Sequence, residues 1–560
     1  MSPTNPAPAL DVSSLANSER KLRELVEAHK DWFISENGRS PIEVNNSEID
    51  FSVTHQRLIF SCWTEQGSQT WRVTAGDWLR EKLVLQVARR LGTEKATIEL
   101  VPRASAKAMT ASITAARQER CERLAELVAT TLADRGLEDR ELDPSLKRKR
   151  TKLTPNQEPS TIDFASDKRT EPNQQHHGVK IERATLSPGM RRDQPGRYAR
   201  IILRLPHERL AATGIVALSD PRNVDSLFSS ALLWFARLQS GPKPPIINRL
   251  LIVVEKNILE AARQRQVLLR DSLRKRIELL KIDEDWRQTE TTRPWERQYL
   301  WRKRLPRFPP VVEGPATNRV DRIVSLAPEA IDVVVSRQGQ TLRYHGLPFA
   351  RARRVMDRDR IWFGIEGTRR RSLDESQQTD WAKLLNDLEI YRRAECRDRR
   401  HWLYRASGEA WLESILRRDI TRLDPGLIIA PLHAQFRTSH GGPTGARPID
   451  LLALRYDGRL VVIELKVTED REHVFQGVDY WRRVEAHRRR GHISTAKLFG
   501  EREISDESPL VYLVAPTLRF HPSFATLART IAPDIEIYRF DINEDWRSGV
   551  RVVRRERVNP

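Results

Sequence analysis

Between Arg447 and Val484 the chain reads RPIDLLALRYDGRLVVIELKVTEDREHVFQGVDYWRRV. Two apolar runs in this stretch carry charges, Asp450 in the first and Glu464 with Lys466 in the second. Buried strands of this kind are normally Val, Ile and Leu throughout. Burying a charge is costly unless something compensates, and a divalent metal would. Two carboxylates with the backbone carbonyl of Leu465 form a hard oxygen site suited to Mg²⁺ or Mn²⁺ rather than Zn²⁺. Such ions keep waters and substrate phosphates, so a sparse set of protein ligands is expected. Lys466 beside the metal would orient or help deprotonate an attacking water and offset charge on a phosphorane-like transition state. Gln476 and Tyr480 stand at i and i+4 on one face of the following helix, where both can hydrogen-bond a phosphate or steady that water.

These groups meet only if the strands bring them to one face. Side chains alternate, so Glu464 and Lys466 share a face while Leu465 points the other way. Directly opposed residues on antiparallel neighbours lie on the same face. A two-residue turn at Asp457-Gly458 would set Asp450 opposite Leu465, on the wrong face. A three-residue loop, Tyr456-Asp457-Gly458 with Gly458 left-handed, sets Asp450 opposite Glu464. The sequence therefore predicts the three-residue loop.

At 560 residues the chain is too long for one core, which implies about three or four domains. Lys plus Arg number 96 against 76 for Asp plus Glu, a net charge of +20 and a pI near 10.1. An excess carried by Arg suits phosphate and points to nucleic acid, although an Arg-favouring genome would produce the same bias. Cys62, Cys121 and Cys396 are scattered and form no disulfide frame or metal knot, which fits a reducing cytoplasm. No apolar run approaches the roughly 18–20 residues that span a bilayer, and the N-terminus lacks the pattern of a signal peptide.

Four domains are expected: 1–104, 105–285, 286–399 and 400–560. The first is β-rich, with a helix starting near Ser18 and running to Trp32, then strands between Ile49 and Leu100. The second begins with a helix over Ser105 to Ala133. A charged, aperiodic linker follows at 134–197, and its run Lys147 to Arg150 reads either as a solvated connector or as a nucleic-acid-binding tail. Strands ARIILRL, RLAATGIVAL and Arg249 to Val254 come next, with a helix from Ser226 to Leu238 and a long basic helix from Leu259 to Ile282. The third domain joins an Arg-rich connector, Trp286 to Glu313, to a small β module. There Arg351, Arg353, Arg354 and Arg369 to Arg371 interleave with Tyr344, Phe349, Trp362 and Phe363. That pattern fits a nucleic-acid grip or a charged face over an ordinary core.

The order strand, strand, helix, strand occurs twice. RLAATGIVAL aligns with RLVVIELKV, and LFSSALLWFARL with VFQGVDYWRRV, placing Phe228 under Phe475 and Trp234 under Trp481. Where the later copy has Asp450, Glu464 and Lys466, the earlier has Arg200, Gly214 and Val216; Ser229 and Leu233 replace Gln476 and Tyr480. A degenerate duplicate that kept the core and lost the chemistry is one reading, and chance likeness of two α/β segments is the other.

PID, ELK and QGVDY together resemble the PD-(D/E)xK nuclease superfamily, in particular the branch of RecB-type exonucleases and archaeal mismatch endonucleases with its trailing Q-xxx-Y. The resemblance covers Arg400 to Arg539 and implies a restriction-endonuclease-like α/β core within a multidomain α/β and α+β chain. It implies metal binding by Asp450 and Glu464, service of the nucleophilic water by Lys466, and support from Gln476 and Tyr480. The family also places a Glu on the helix before the first core strand. Glu409 and Glu413 both qualify, and counting back from the Asp424-Pro425 turn favours Glu409. Ile449 stands where many members have Pro or a second acid.

GGPTG at Gly441 to Gly445 lacks the GK[ST] of a phosphate-binding loop and reads as a mobile loop near a substrate entrance. His433, His440, His473 and His492 follow no metal spacing, and His473 reads either as a solvated helix-start residue or as one that meets DNA or the metal shell. The sequence thus predicts a Mg²⁺- or Mn²⁺-dependent cytoplasmic nuclease whose partner is nucleic acid, most simply DNA. The alternatives are an inactive nucleic-acid-binding scaffold and a structure-specific or RNA nuclease.

Overall fold

A computed structural model of the chain describes residues 15–142, 178–302, 305 and 318–560, apart from gaps at 37–41, 55, 65–66, 80–81, 89–94, 103–105, 189–194, 207, 216–223, 241–246, 284–285, 337–338, 356–357, 366–370 and 437–447. Two compact units emerge. One is Met1–Asp220 with Leu238–Leu259 and Glu278–Thr292; the other is Pro221–Arg237, Glu260–Ile277 and Arg293–Pro560.

The first unit opens with α1 (Leu15–Glu27). β1 (Asp31–Glu36), β2 (Ile42–Asn45), β3 (Ile49–Thr54), β4 (Arg57–Thr64), β5 (Gly67–Leu79), β6 (Lys82–Ala88) and β7 (Lys95–Pro102) then form a seven-stranded sheet in the order β2-β1-β7-β6-β5-β4-β3. The expected first helix ends earlier than its spacing suggests. Trp32 belongs to β1, fully buried, and its indole N–H donates to the Val26 carbonyl at 3.0 Å, so it packs beneath the helix end rather than extending it. The next helix, α2 (Ala106–Leu142), runs past the expected boundary at Ala133.

A second sheet follows, of β8 (Lys180–Pro188), β9 (Pro195–Arg204) and β10 (Arg209–Ile215); then, after α3 (Val224–Gln239), β11 (Ile247–Glu255); and, after α4 (Leu259–Val267) and α5 (Asp271–Arg274), β12 (Ile277–Ile282) and β13 (Thr289–Thr291). Its order is β13-β12-β11-β10-β9-β8. Cys121, Leu124, Val128 and Leu132 recur at helical spacing on α2 and pack onto Ala199, Ile201, Leu210, Ala212 and Val253. The linker expected at 134–197 is thus trimmed at both ends, by the last turns of α2 and by β8. The basic run Lys147 to Arg150 lies outside the described residues. The single helix expected from Leu259 to Ile282 is instead α4, α5 and a strand. Helical periodicity breaks at Leu268 to Arg270, where backbone bonds run to distant residues: Arg270 N–H to Thr530, and Ala532 N–H to the Leu268 carbonyl. The connector expected from Trp286 likewise contains β13, which pairs antiparallel with β12.

The second unit contains α6 (Asn318–Val324) and a five-stranded antiparallel meander, β14 (Ile331–Ser336), β15 (Gly339–Tyr344), β16 (Leu347–Val355), β17 (Arg358–Phe363) and β18 (Arg371–Ser372). After α7 (Gln378–Tyr391), α8 (Trp402–Arg405) and α9 (Gly408–Arg418) come β19 (His433–Phe436), β20 (Ile449–Leu454) and β21 (Leu460–Leu465). Then follow α10 (His473–Arg488), α11 (His492–Thr495), β22 (Leu510–Pro516), α12 (Phe524–Ala528), β23 (Ile537–Ile542) and β24 (Val552–Arg557). The strands of this last sheet lie in sequence order, with β21, β22 and β23 parallel and the flanking pairs antiparallel. β21 is buried at every position, as a central strand covered on both faces must be. Trp411, Leu412 and Leu416 of α9 cover the face bearing Leu451, Val461, Ile463 and Leu465. Tyr480 and Val484 of α10 cover the face bearing Leu452, Leu454, Leu460 and Val462.

In the meander, Tyr344, Phe349 and Phe363 are core residues. Of the four interleaved aromatics only Trp362 is left outside that core, directly across from Arg351. Arg371 pairs with Asp380, while Arg369 and Arg370 lie outside the described residues. The meander is tied to α9 by Arg343 to Glu413 at 3.3 Å and by Arg417 to Asp332 at 2.6 Å. Arg392 is fully buried and donates to the carbonyls of Tyr344, His345, Leu403, Ala406 and Ser407.

Each six-stranded sheet follows the same plan, with one or two helices in each helical connection: helix, three strands, helical connection, strand, helical connection, two strands. In each, the third strand is antiparallel to the second and parallel to the fourth. The equivalences drawn from sequence shift by one on the third strand, however, while Arg200 keeps its place opposite them. A Cβ on Gly214 would lie 2.7 Å from Leu124 of α2, so Gly214 faces the helix that precedes its sheet. Glu464 lies on the face away from the corresponding helix, α9. By face and register the counterpart of the Asp450–Glu464 pair is Arg200 with Thr213, which are directly opposed. Neither is an acid. Val216 lies outside the described residues.

Candidate active site

The hairpin between β20 and β21 decides the register. Leu452 faces Val462 and Leu451 faces Ile463, so the next pair sets Asp450 across from Glu464. The loop has three residues: Arg455 N–H reaches the Arg459 carbonyl, Gly458 N–H reaches the Arg455 carbonyl at 3.0 Å, and Gly458 has φ +78°. An L side chain there is strained, and its Cβ would sit 2.8 Å from the Glu503 carbonyl. We expect Gly458→Ala to cost about 1–2 kcal/mol, measured as reduced hydrogen-exchange protection of the β20–β21 amides.

Asp450, Glu464 and Lys466 converge at the C-terminal end of β21. The Leu465 N–H donates to Asp450 Oδ2 at 2.9 Å. Lys466 Nζ donates to Glu464 Oε1 at 2.9 Å and lies 3.6 Å from Asp470 and 3.9 Å from Glu409. Burial opposes the Lys466 charge, but Glu464 and Glu409 outweigh it and hold the ammonium protonated, above its ordinary range. Glu464 is pushed well above the usual carboxylate range by burial and by Asp450, with Lys466 pulling the other way. Its second oxygen, Oε2, is buried without a hydrogen-bond partner.

The two candidate helix acids separate cleanly. Glu413 is buried against Arg343 and faces the meander. Glu409, in the first turn of α9, is the one beside Lys466. Burial, Asp450 and Asp470 raise its carboxyl and Lys466 opposes them; with 42 % of the side chain exposed, solvent screens that shift. Gly408 precedes it, and a Cβ there would lie 2.8 Å from Val467, so the helix start sits hard against the end of β21. Asp424 caps its own turn, accepting from Gly426 N–H at 2.9 Å and from the Tyr512 hydroxyl at 2.6 Å.

Gln476 and Tyr480 are buried on α10. A Cβ on Gly477 would lie 2.5 Å from Leu513, so the lack of a side chain there is what lets α10 lie close on β22. Gln476 Nε2 lies 3.5 Å from Glu472. Burial and the charge of Glu464 raise the Tyr480 phenol, keeping it a hydrogen-bond donor.

Two further residues lie beside these, Asp470, which the sequence reading passed over, and His473. Asp470 adds a third carboxylate to Lys466, and its spacing of four from that lysine is the signal that would have found it. His473 is not a solvated helix-start residue. It is fully buried, packed against Phe520 and Phe524, with Nε2 at 3.3 Å from the Glu464 carbonyl. Burial and Lys466 lower it to about 3, so the ring is neutral. The other histidines serve elsewhere: His433 contacts the Leu498 carbonyl at 2.6 Å, and His492 meets His487 at 3.0 Å. His440 and the GGPTG loop lie outside the described residues.

Compared with known proteins, the chain matches no family model, no curated protein and no solved structure. The site must be read from its own chemistry. Among the described residues, no group of three or more His, Cys, Asp and Glu side chains is placed to hold a metal ion. Asp450, Glu464 and the Leu465 carbonyl are a smaller, all-oxygen set, which fits a hard ion that retains waters. The orphaned Glu464 oxygen is a buried acceptor that a cation would satisfy. Among the described residues no helix is long and apolar enough to cross a membrane.

Proposed function

We propose that this chain is a divalent-metal-dependent nuclease hydrolysing phosphodiester bonds in DNA, with a C-terminal domain of PD-(D/E)xK type. The observation that carries the reading is the meeting of Asp450, Glu464 and Lys466 on one sheet face, with a buried carboxylate oxygen left unpartnered. Asp450, Glu464 and the Leu465 carbonyl would hold Mg²⁺ or Mn²⁺. The ion supplies Lewis-acid activation of phosphoryl oxygen and water. Lys466, held protonated at Nζ, offsets negative charge building on the phosphoryl group. Glu409 and Asp470 steady that ammonium. Neutral His473 fixes the strand end by contacting the Glu464 carbonyl. Gln476 and Tyr480 offer donors from α10 for a phosphate oxygen or the attacking water. The restriction-endonuclease-like assignment is supported by the order of helix, three antiparallel strands, helix and parallel strand around these residues.

The test is cleavage of linear and nicked DNA with Mg²⁺ by the wild type and by Glu464→Ala. We expect cleavage by the wild type that depends on metal and a loss of about 10³-fold or more in the variant. Equal rates in both would remove the assignment. RNA, fork and mismatch substrates in the same assay define the preferred nucleic acid.

A further inference from the structure

The segment just before α9 is a surface built of arginines and one tryptophan. From Arg393 to Arg405 it reads RAECRDRRHWLYR, five arginines against Glu395 and Asp398. Arg397, Arg399, Arg400 and Arg405 are exposed, and none of them makes an ion pair among the described residues. Asp545 feels the charge of Arg399 without pairing with it. The arginines of α10 behave differently: Arg482 and Arg483 are bound to Asp479, and Arg488 and Arg489 to Glu485. Uncompensated guanidinium groups beside one another repel, and a polyanion relieves that repulsion.

Trp402 stands among them at 52 % exposure, the one tryptophan in the exposed class among the described residues. It does not swing freely. His401 caps α8 by accepting the Leu403 N–H, and its ring stacks on Tyr391 at 3.7 Å. Buried Arg392 grips the carbonyls of Leu403, Ala406 and Ser407 from below. A large apolar ring held open to water on a fixed backbone is a stacking platform for a planar group. Glu409 stands seven positions after Trp402, a reach of at most about 25 Å even if fully extended.

We infer that Arg397, Arg399, Arg400, Arg405 and Trp402 form a binding platform for a single-stranded nucleic-acid segment, the arginines taking phosphates and the indole stacking on an unpaired base. A paired duplex hides its base faces, so the exposed indole selects a single strand or a frayed end. With Glu409 no more than about 25 Å away, this would be the strand-delivery surface of the site, and that role rests on the nuclease reading. The binding itself does not.

The test uses the full chain in EDTA, where no cleavage occurs. Fluorescein-labelled fifteen-residue oligo-dT and oligo-U, and a blunt DNA duplex of about the same length, are titrated by anisotropy. We expect the wild type to prefer the single strands. Trp402→Ala should weaken oligo-dT binding by about tenfold and leave the duplex nearly unchanged. Arg399→Glu with Arg400→Glu should reduce the salt slope for oligo-dT by about 1.4, at about 0.7 per phosphate contact. Circular dichroism confirms the fold of these surface variants. Unchanged binding in both variants overturns the platform, as does a Trp402→Ala variant that binds oligo-dT like the wild type. A chain that binds oligo-dT through these residues yet cleaves nothing with Mg²⁺ keeps the platform and loses the nuclease reading.

Discussion

Replacing Lys466 by Met should lower cleavage by about 10²–10³-fold and also loosen the metal-free fold around β21. The ammonium sits 2.9 Å from Glu464, 3.6 Å from Asp470 and 3.9 Å from Glu409. Without it, three carboxylates and nearby Asp450 face one another with no counter-charge, and Glu464 is buried. Removing one partner of a buried pair costs about 3–5 kcal/mol, but here the penalty depends on pH. The Glu464 carboxyl already stands well above its ordinary range because of burial and Asp450. For a carboxyl raised by folding, stability is full below the unfolded value of about 4.3 and is lost as pH rises through the folded value. The lysine offsets that loss by stabilising the ionised form. The gap between wild type and Lys466→Met should therefore widen from pH 5 to pH 8. Hydrogen exchange of the β20–β21 amides in EDTA reads it locally, without treating this chain of several sheets as one two-state unit. A gap that stays constant over that range would mean that Glu464 does not carry the charge in question.

How much of this was legible beforehand follows from which rules are strict. Side-chain parity has a period of two, so the Asp450–Glu464–Lys466 set and the Asp457-Gly458 pair permit only one loop length that puts the charges together. The structure has that loop, closed by Gly458 at φ +78°. Helical period is a softer rule, and Leu259 to Ile282 shows why. Leu268, Leu273, Ile277 and Leu280 fit a helix, yet the backbone at Leu268 to Arg270 bonds with Thr530 and Ala532, which local sequence does not announce. His473 failed for the same reason: its burial comes from Phe520 and Phe524, some fifty residues on. The internal comparison failed by a single residue. The earlier hairpin pairs Leu205 with Glu208 around a loop one residue shorter than the later one, so matching residue types in line flipped Gly214 onto the wrong face.

The second large effect is expected at Asp479, which touches none of the proposed metal ligands. Its carboxylate is buried on α10 and meets Arg265 of α4 at 2.6 Å, Arg482 at 2.7 Å and Arg483 at 3.1 Å; Arg265 in turn holds Asp225 of α3 at 2.7 Å. Beside it Phe228 of α3 packs on Phe475 of α10, ring centres 6.0 Å apart. Burial works against the charge of Asp479, yet the three guanidinium groups outweigh it and hold the carboxyl far below the usual range. Asp479→Ala would take this carboxylate away from Arg265, Arg482 and Arg483, all buried or nearly so, at a cost of about 3–5 kcal/mol. The sign with pH is opposite to that at Glu464. A depressed carboxyl contributes its stability above the unfolded value of about 3.9 and loses it only as pH falls through the folded value. The deficit of the variant should thus be flat from pH 5 to pH 8 and shrink only in stronger acid, as the wild type loses the same contribution. Asp479→Asn keeps hydrogen-bonding capacity without the charge and should fall between the two. Asp479 lies between Gln476 and Tyr480 on α10, so a helix released here also misplaces both donors. Cleavage should then fall along with α10 protection, and in Asp479→Asn both should recover together. Full activity in a variant whose α10 amides have lost protection would separate the helix from the chemistry and remove Gln476 and Tyr480 from the site.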